Sequence, residues 1–446
     1  MKRLLKIFAI ALTAMFVLVS INGSAQNTST KTLLKNATLI DGNGGKPLQN
    51  IDILIDGETI SEIGTNLSAS GAKLVNLKGK TVMPALISAH VHVGVIKGNE
   101  GGAKFYTRQN IISQLKKYQD YGIGTVLAMG TDRPLLFETG LRDSSVRGLL
   151  PGARLYSAGY GFNVPDPTVS HDYFLGNLYR PASVAEVPLM MEQLAKLKPE
   201  VVKLWVDGKM KPEVYQAILQ EAHKHNIRGL AHVFYLSDAR KLVASGIDIF
   251  GHSIRDSVVD NALVEQMKAR NIPYIPTLTL DLFAHAYAGK PYWLNDKFFK
   301  KSLEPGVYEM LSSEKYHNDQ KASSASARAA AAFQIAMKNV KKLHDAGVMI
   351  ALGTDSGSFP YRPQGFAEHL ELEMLVKAGL TPLQAITIAT RNAARVLRIE
   401  KSFGTLEKGK VADLIILGSN PVENIKNTRD IEGVYKGGMV VSRGQK

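Results

Sequence analysis

From Pro84 onward the chain alternates apolar runs of about six residues with longer amphipathic segments, and no other feature restricts its fold as strongly. The runs are "ALISAHVHV", "GTVLAMG", "ARLYSAGYG", "EVVKLWVDG", "RGLAHVF", "DIFGHSI", "PYIPTLTL" and "VMIALGTDS". Between them, residues 212–226, 237–245 and 258–270 have helical spacing, with Val214, Ile218 and Ala222 on one face of the first. Eight strands with intervening helices predict an α/β fold, namely a (β/α)8 TIM barrel. An open doubly wound sheet is the alternative. It would carry a Gly-rich phosphate turn after its first strand, and Gly94, Gly98, Gly101 and Gly102 lack that spacing.

The flanks have another texture. Residues 31–83 are short β-rich pieces punctuated by Asp-Gly and Asn-Gly turns, which predict a small antiparallel sheet. Beyond the apolar runs, "TPLQ" opens a helix that reaches about Leu397: Thr381 caps it, Pro382 suits its first turn and Gln384 completes a capping box. "GTLEKGKVADLIILG" and "DIEGVYKGGMVVSRG" then return to short strands. The economical organisation joins residues 26–83 and 401–446 in one small sheet domain beside a catalytic domain of residues 84–400. The stretch from Asp281 to about Ser326 follows the seventh run and is rich in aromatic residues, among them Tyr287, Trp293 and Phe299. It reads either as a lid over the barrel mouth or as aromatic packing within a helical insertion.

Residues 1–25 read as a signal peptide: Lys2, Arg3 and Lys6, an apolar run from Ile7 to Val19, then small residues to Ala25. The run is short of the roughly 20 residues a membrane span needs. With no cysteine in the chain, a lipoprotein anchor, a disulfide framework and a thiolate metal site are all excluded. The expected location is secreted or periplasmic. The formal charge of +14, from 54 basic against 40 acidic residues, is spread out. Clusters such as Lys338, Lys341 and Lys342 sit at helical spacing and suit a solvated face, with no aromatic-interleaved stripe of a nucleic-acid binder. The expected partner is a small-molecule substrate, with neither nucleic acid nor, once the signal is removed, a membrane. A homo-oligomer stays open.

Side chains at i and i+2 of a strand share a face, so His90 and His92 stand together at the C-terminal end of the first run, where barrel active sites lie. Alone, the pair reads equally as two core histidines. Yet His232 lies in the fifth run, His252 at the end of the sixth and Asp355 at the end of the eighth. Imidazole and carboxylate suit zinc or a similar divalent ion. Lys203 lies in the very apolar fourth run. A buried amine loses its proton readily, and a neutral amine can take up carbon dioxide as a carbamate able to bridge two cations. A lysine that snorkels outward or pairs with Asp207 is the equal alternative.

Taken together, "VMPALISAHVH", "VVKLWVDG", "LAHVF", "IFGHS", "LGTDSG" and "GTLEKGKVADLIIL" resemble the amidohydrolase superfamily. The match is to its imidazolonepropionase-like branch with prolidase-type dipeptidases, over nearly all of the chain after the signal. The resemblance implies a distorted TIM barrel, a composite β-sandwich formed by both chain ends, and two divalent metal ions, usually Zn2+. It places His90, His92 and Asp355 around one ion and His232 and His252 around the other, with carboxylated Lys203 as the bridge. Asp355 would act as general base and then acid. The chain departs from the pattern at Ser88, where the family has aspartate. It departs again at Phe234, where dipeptidases have a tyrosine that helps hold the substrate carboxylate, although Tyr235 is adjacent. His171 stands in for a histidine of the third-strand loop. These readings predict an exported binuclear amidohydrolase acting on dipeptides or N-acyl amino acids. Hydrolysis of a cyclic amide, lactone or phosphoester at the same centre is a second possibility. A non-catalytic binding protein on the same barrel is a third, but it would need neither Asp355 nor Lys203.

Overall fold

The computed structural model describes residues 31–206 and 208–444. Residues 1–25, read as an export signal, and Asp207 lie outside them. Five N-terminal strands, Thr32–Leu39, Leu48–Asp56, Thr59–Gly64, Lys73–Asn76 and Thr81–Pro84, join three C-terminal ones, Leu414–Leu417, Ile431–Lys436 and Met439–Arg443, in one eight-stranded sheet. The two chain ends meet where Thr81–Pro84 pairs antiparallel with Leu414–Leu417. Leu34, Ile53, Ile60, Val82, Leu414 and Ile416 form its apolar layer. The Asp-Gly signal is a true hairpin turn: Gly57 takes φ +58° between Asp56 and Thr59, a conformation glycine adopts freely. One expectation is corrected. The N-terminal sheet is mixed, because Thr32–Leu39 pairs parallel with both Lys73–Asn76 and Thr81–Pro84. Turn residues mark where the chain bends, not which neighbour it pairs with afterwards.

Seven parallel strands follow, all nearly or fully buried, as strands covered on both faces must be. The first three, Leu86–Val91, Ile123–Ala128 and Arg154–Ser157, form one sheet. The fourth to seventh, Val201–Trp205, Arg228–His232, Ile249–Gly251 and Tyr274–Ile275, form another. Hydrogen bonds link the third-strand region to the fourth: Phe162 N to Lys203 O at 2.7 Å and Trp205 N to Phe162 O at 2.9 Å. The eighth run is not a regular strand. Residues 349–356 lie between the seventh and first strands, with Tyr274 N bonded to Met349 O (2.9 Å), Ala89 N to Leu352 O (2.8 Å) and His92 N to Ser356 O (2.8 Å).

Helices separate the strands, among them Arg108–Asp120, Pro212–Lys224, Leu236–Ala244, Asn261–Ala269, Ser324–Asp345 and Phe366–Lys377. Their apolar faces and the outer strand residues make the larger core. A second, smaller cluster contains Ile87, Leu127, Val201, Leu230, Ile249 and Ile275. Lys203 and His232 lie two residues beyond Val201 and Leu230, so this apolar plug forms the floor beneath them. The capping box at Thr381 and Gln384 is present, and the helix it opens passes through a π-turn at Ile388–Asn392. The aromatic-rich stretch is a helical insertion, Lys297–Ser302, Val307–Ser312 and Glu314–Ala322, in which Tyr287, Trp293 and Phe299 are buried. Among the described residues no helix is long and apolar enough to cross a membrane.

Candidate metal centre

The floor ends in a cluster of imidazoles. His90 is the next-to-last residue of the first strand and His92 lies just past its end, with their rings 6.2 Å apart. The rings of His90 and His252 are 4.3 Å apart, as are those of His232 and His252. Asp355 Oδ1 lies 3.0 Å from His92 Nε2 and 3.4 Å from His90 Nε2. Lys203 Nζ lies 3.4 Å from His90 Nε2. Six side chains from five separate parts of the chain thus converge. A register shift between Ser88 and Val91 assists, leaving Ile87 and Ala89 in the floor cluster while His90 and His92 face the site.

These positions are over-determined. His92 Nδ1 is bonded to Thr131 Oγ1 and His252 Nδ1 to Thr277 Oγ1, both at 2.8 Å, which fixes ring orientation. His252, Thr277 and Asp355 take φ +74°, +49° and +61°, a left-handed backbone that non-glycine residues hold only where their surroundings impose it. The Lys203 side chain has no solvent exposure and does not snorkel outward. Glycine at 161 lets the backbone press onto it: a Cβ there would lie 2.2 Å from Trp205 Cζ3 and 3.2 Å from Lys203 Cγ.

Burial pushes the Lys203 ammonium down to about 7. Burial, then the nearby lysine, lowers His90 to about 3 and His232 well below the usual imidazole range. Burial, then His232, does the same for His252. Burial would raise Asp355, but the charge of His92, hydrogen bonds from His90 and His92, and Arg362 together hold it well below the usual range. His90, His232 and His252 are therefore neutral and Asp355 is ionised, the donor forms a cation requires. Nδ1 of His90 and of His232 are buried with no hydrogen-bond partner among the described residues. His90, His92 and Asp355 each present a ligand atom, all within 4.8 Å of one another. The residues present fit a metal ion.

The other expected site residues divide. Phe234 lies against the centre, its ring 4.2 Å from His232 and 5.5 Å from His252. Arg255 stacks over its outer face at 3.3 Å and pairs with Asp281. Tyr235 is 44% exposed and lines a cavity together with Phe234 and Arg255. His171 is not brought in. Its side chain is exposed, and its backbone carbonyl accepts from Arg133. The residue of that loop facing His92 is Phe174, at 6.3 Å between rings, because the loop buries its aromatic residue in preference to its polar one. Sequence reading missed Thr131, Thr277, Ser358 and Arg362. Arg362 donates to Asp355 Oδ2, and Ser358 Oγ lies 3.1 Å from the same oxygen. Thr131 does carry a sequence signal, since it directly follows the run that ends at Gly130, whereas Thr277 lies within the seventh run.

Comparison with known proteins now decides the family. The amidohydrolase family model matches residues 81–441. The chain belongs to the amidohydrolase family. It is accordingly a metal-dependent hydrolase acting on amide or other carbon–nitrogen bonds. Ochratoxinase of Aspergillus niger is 25% identical over 92% of this chain and 86% of that protein. The crystal structure of a Xaa-Pro dipeptidase with bound methionine has a TM-score of 0.72 at 24% identity, over 92% of this chain and 99% of that one. Phenylurea hydrolase B has a TM-score of 0.71 at 20% identity, over 92% and 96%. The fold of this amidohydrolase is thus shared with enzymes of several substrate classes.

Proposed function

We propose that this amidohydrolase is an exported enzyme with a binuclear centre that hydrolyses the amide bond of dipeptides or N-acyl amino acids. The observation that carries the reading is the convergence of four imidazoles, Asp355 and a fully buried Lys203 above one apolar floor. The linking hydrogen bonds described above support a distorted (β/α)8 barrel closed by residues 349–356, with the sheet of both chain ends as a flanking β-sandwich. His90, His92 and Asp355 would hold one cation, His232 and His252 a second, and a carbamate on Lys203 would bridge them. The chemistry of the donor set favours zinc. Bound there, such cations supply Lewis acidity towards a carbonyl oxygen and towards water.

The chain's own residues do the rest. Asp355 spends Oδ2 on Arg362 and Ser358, which leaves Oδ1 to face the centre. That oxygen takes a proton from the attacking water and returns it to the departing amine as the carbon–nitrogen bond breaks. Beside Phe234, whose ring lies against His232 and His252, is a 440 Å³ cavity lined also by Tyr235, Arg255, Leu280, Arg328 and Arg362. Arg255 is held by Asp281 and Arg362 by Asp355, whereas Arg328 is exposed and donates only to Ser324 of its own helix among the described contacts. Arg328 is the cation placed to receive a substrate carboxylate, and Phe234 offers an apolar face beside the scissile bond.

The test is metal analysis of the purified protein, followed by a screen of dipeptides and N-acyl amino acids with wild type and Asp355→Asn. The reading predicts two equivalents of metal and activity that the variant loses. A metal-free protein inert towards amides and esters would point to a binding protein instead. Cleavage confined to cyclic amides, lactones or phosphoesters would move the substrate class. The mass of the exported protein tests cleavage after Ala25, and an added carboxyl on Lys203 tests the carbamate.

A further inference from the structure

Helix Phe366–Lys377 contributes nothing to the ring of imidazoles, yet it buries two glutamates one turn apart against the loops that carry the site. Glu368 and Glu371 are both 0% exposed. Glu368 Oε1 accepts from the hydroxyls of Thr354 (2.7 Å), Ser356 (2.8 Å) and Ser88 (3.2 Å), and Oε2 accepts from Gly365 N (2.8 Å). Thr354 and Ser356 flank Asp355, and Ser88 precedes His90 by two residues. Tyr118 OH, 2.7 Å from Ser356 Oγ, supplies the donor that lets Ser356 point its own proton at Glu368. Glu371 Oε1 accepts from Leu278 N (2.7 Å), and its Oε2 accepts from Thr279 N (2.7 Å) and Thr279 Oγ1 (2.8 Å). Those residues directly follow Thr277, the partner of His252 Nδ1.

Among the described residues neither carboxylate has a cation within ion-pair distance. Burying such groups is costly unless every lone pair is used, and here each oxygen is. Both loops contain a non-glycine residue in the left-handed region, Asp355 at φ +61° and Thr277 at φ +49°. Such a backbone persists only where its surroundings over-determine it. We propose that Glu368 and Glu371 are positioning residues: Glu368 sets the backbone that aims Asp355, and Glu371 sets the backbone that lets Thr277 orient His252. The proposal rests on the metal-centre reading for its consequence, but the loop geometry it invokes does not depend on a bound ion.

In Glu371→Gln the NH2 faces one of two backbone amides, donor against donor. In Glu368→Gln it faces either Gly365 N, again a donor, or the three hydroxyls, of which its two hydrogens can satisfy at most two, so one loses its partner. Cobalt(II) binding to the full-length protein is the probe, read by chelator competition and by the visible absorption of the bound ion. Each variant is expected to bind cobalt about 10- to 100-fold more weakly and to change its absorption envelope. Hydrogen exchange read by mass spectrometry should rise at residues 354–356 in Glu368→Gln and at residues 277–279 in Glu371→Gln, each without effect on the other loop. Adding Ser88→Asp to Glu368→Gln returns a carboxylate beside Thr354 and Ser356 from the neighbouring strand and should recover about tenfold in affinity. Wild-type cobalt affinity and wild-type exchange in both variants would overturn the proposal. So would exchange that rises evenly throughout the molecule. If the wild type takes up no cobalt, the metal-centre reading fails, and the loop-specific exchange still decides whether the two glutamates position these loops.

Discussion

Arg362→Met asks what compensates the charge of Asp355. The guanidinium of Arg362 donates to Asp355 Oδ2, and the two side chains are only 9% and 8% exposed. Removing one partner of a buried pair leaves the other charge unpaired, at a cost of about 3–5 kcal/mol. That full cost falls on the metal-free protein. Oδ1 of Asp355 faces His90 and His92 at 3.4 and 3.0 Å, so a cation held by these three would compensate the carboxylate in place of the arginine. What then remains is the lost contact of Arg362 with Phe359 and Tyr361, centred 5.1 and 5.4 Å away, about 1 kcal/mol. The difference of about 2–4 kcal/mol must reappear as linkage, so the variant, although less stable, should bind its first cation about 30- to 800-fold more tightly. Guanidinium chloride unfolding with and without metal measures the first quantity, and chelator competition the second. An equal loss of stability in both forms, or unchanged affinity, would refute the assignment of Asp355 as a residue shared between arginine and metal.

Other outcomes follow from the same geometry. Thr131→Val and Thr277→Val remove the hydroxyls that orient His92 and His252 and should each weaken metal binding about tenfold, read by competition with a chromophoric chelator. Gly353→Ala places a Cβ 2.5 Å from Ile275 Cγ2 and 2.6 Å from His90 Cβ, so it should destabilise the fold by about 2 kcal/mol or more in chemical unfolding. Arg328→Ala should raise KM for a carboxylate-bearing substrate about tenfold or more while leaving the corresponding primary amide unaffected, in steady-state kinetics on the two compounds. Burial raises the Glu200 carboxyl from 4.5 to about 7. The native state therefore binds more protons than the unfolded one across that window, and stability falls as pH rises through it. Glu200→Gln should fall less than wild type between pH 5 and pH 8, and parallel unfolding midpoints would contradict the burial argument.

Legibility in the sequence tracked the range of the interaction. The parallel strands, the Asp56-Gly57 turn and the Thr381–Gln384 capping box are stated by residues within a few positions of one another. The site was also legible, because an apolar run is a local feature and His90, His92, Lys203, His232, His252 and Asp355 each lie in or next to one. His171 was misplaced, since a loop's path depends on which of its side chains finds a pocket, and Phe174 found it. Arg362, Glu368 and Glu371 left no periodic trace. They lie on a loop and a helix whose neighbours at Asp355, Ser88 and Thr279 are distant in sequence or are reached only by a fold in the chain.

The amino-acid order alone determined the alternation of strands and helices and the chemical types available at their ends, because both follow from side-chain periodicity and local backbone preference. The tertiary structure alone decided the parallel pairing within the N-terminal sheet, the seam between Thr81–Pro84 and Leu414–Leu417, and the irregular eighth segment. It also decided which hydroxyls and carboxylates hold the ligand side chains in place. Those choices depend on burial, and burial is a property of the whole packed chain: a serine, a glutamate or a lysine acquires its role only once surrounding residues have excluded water from it.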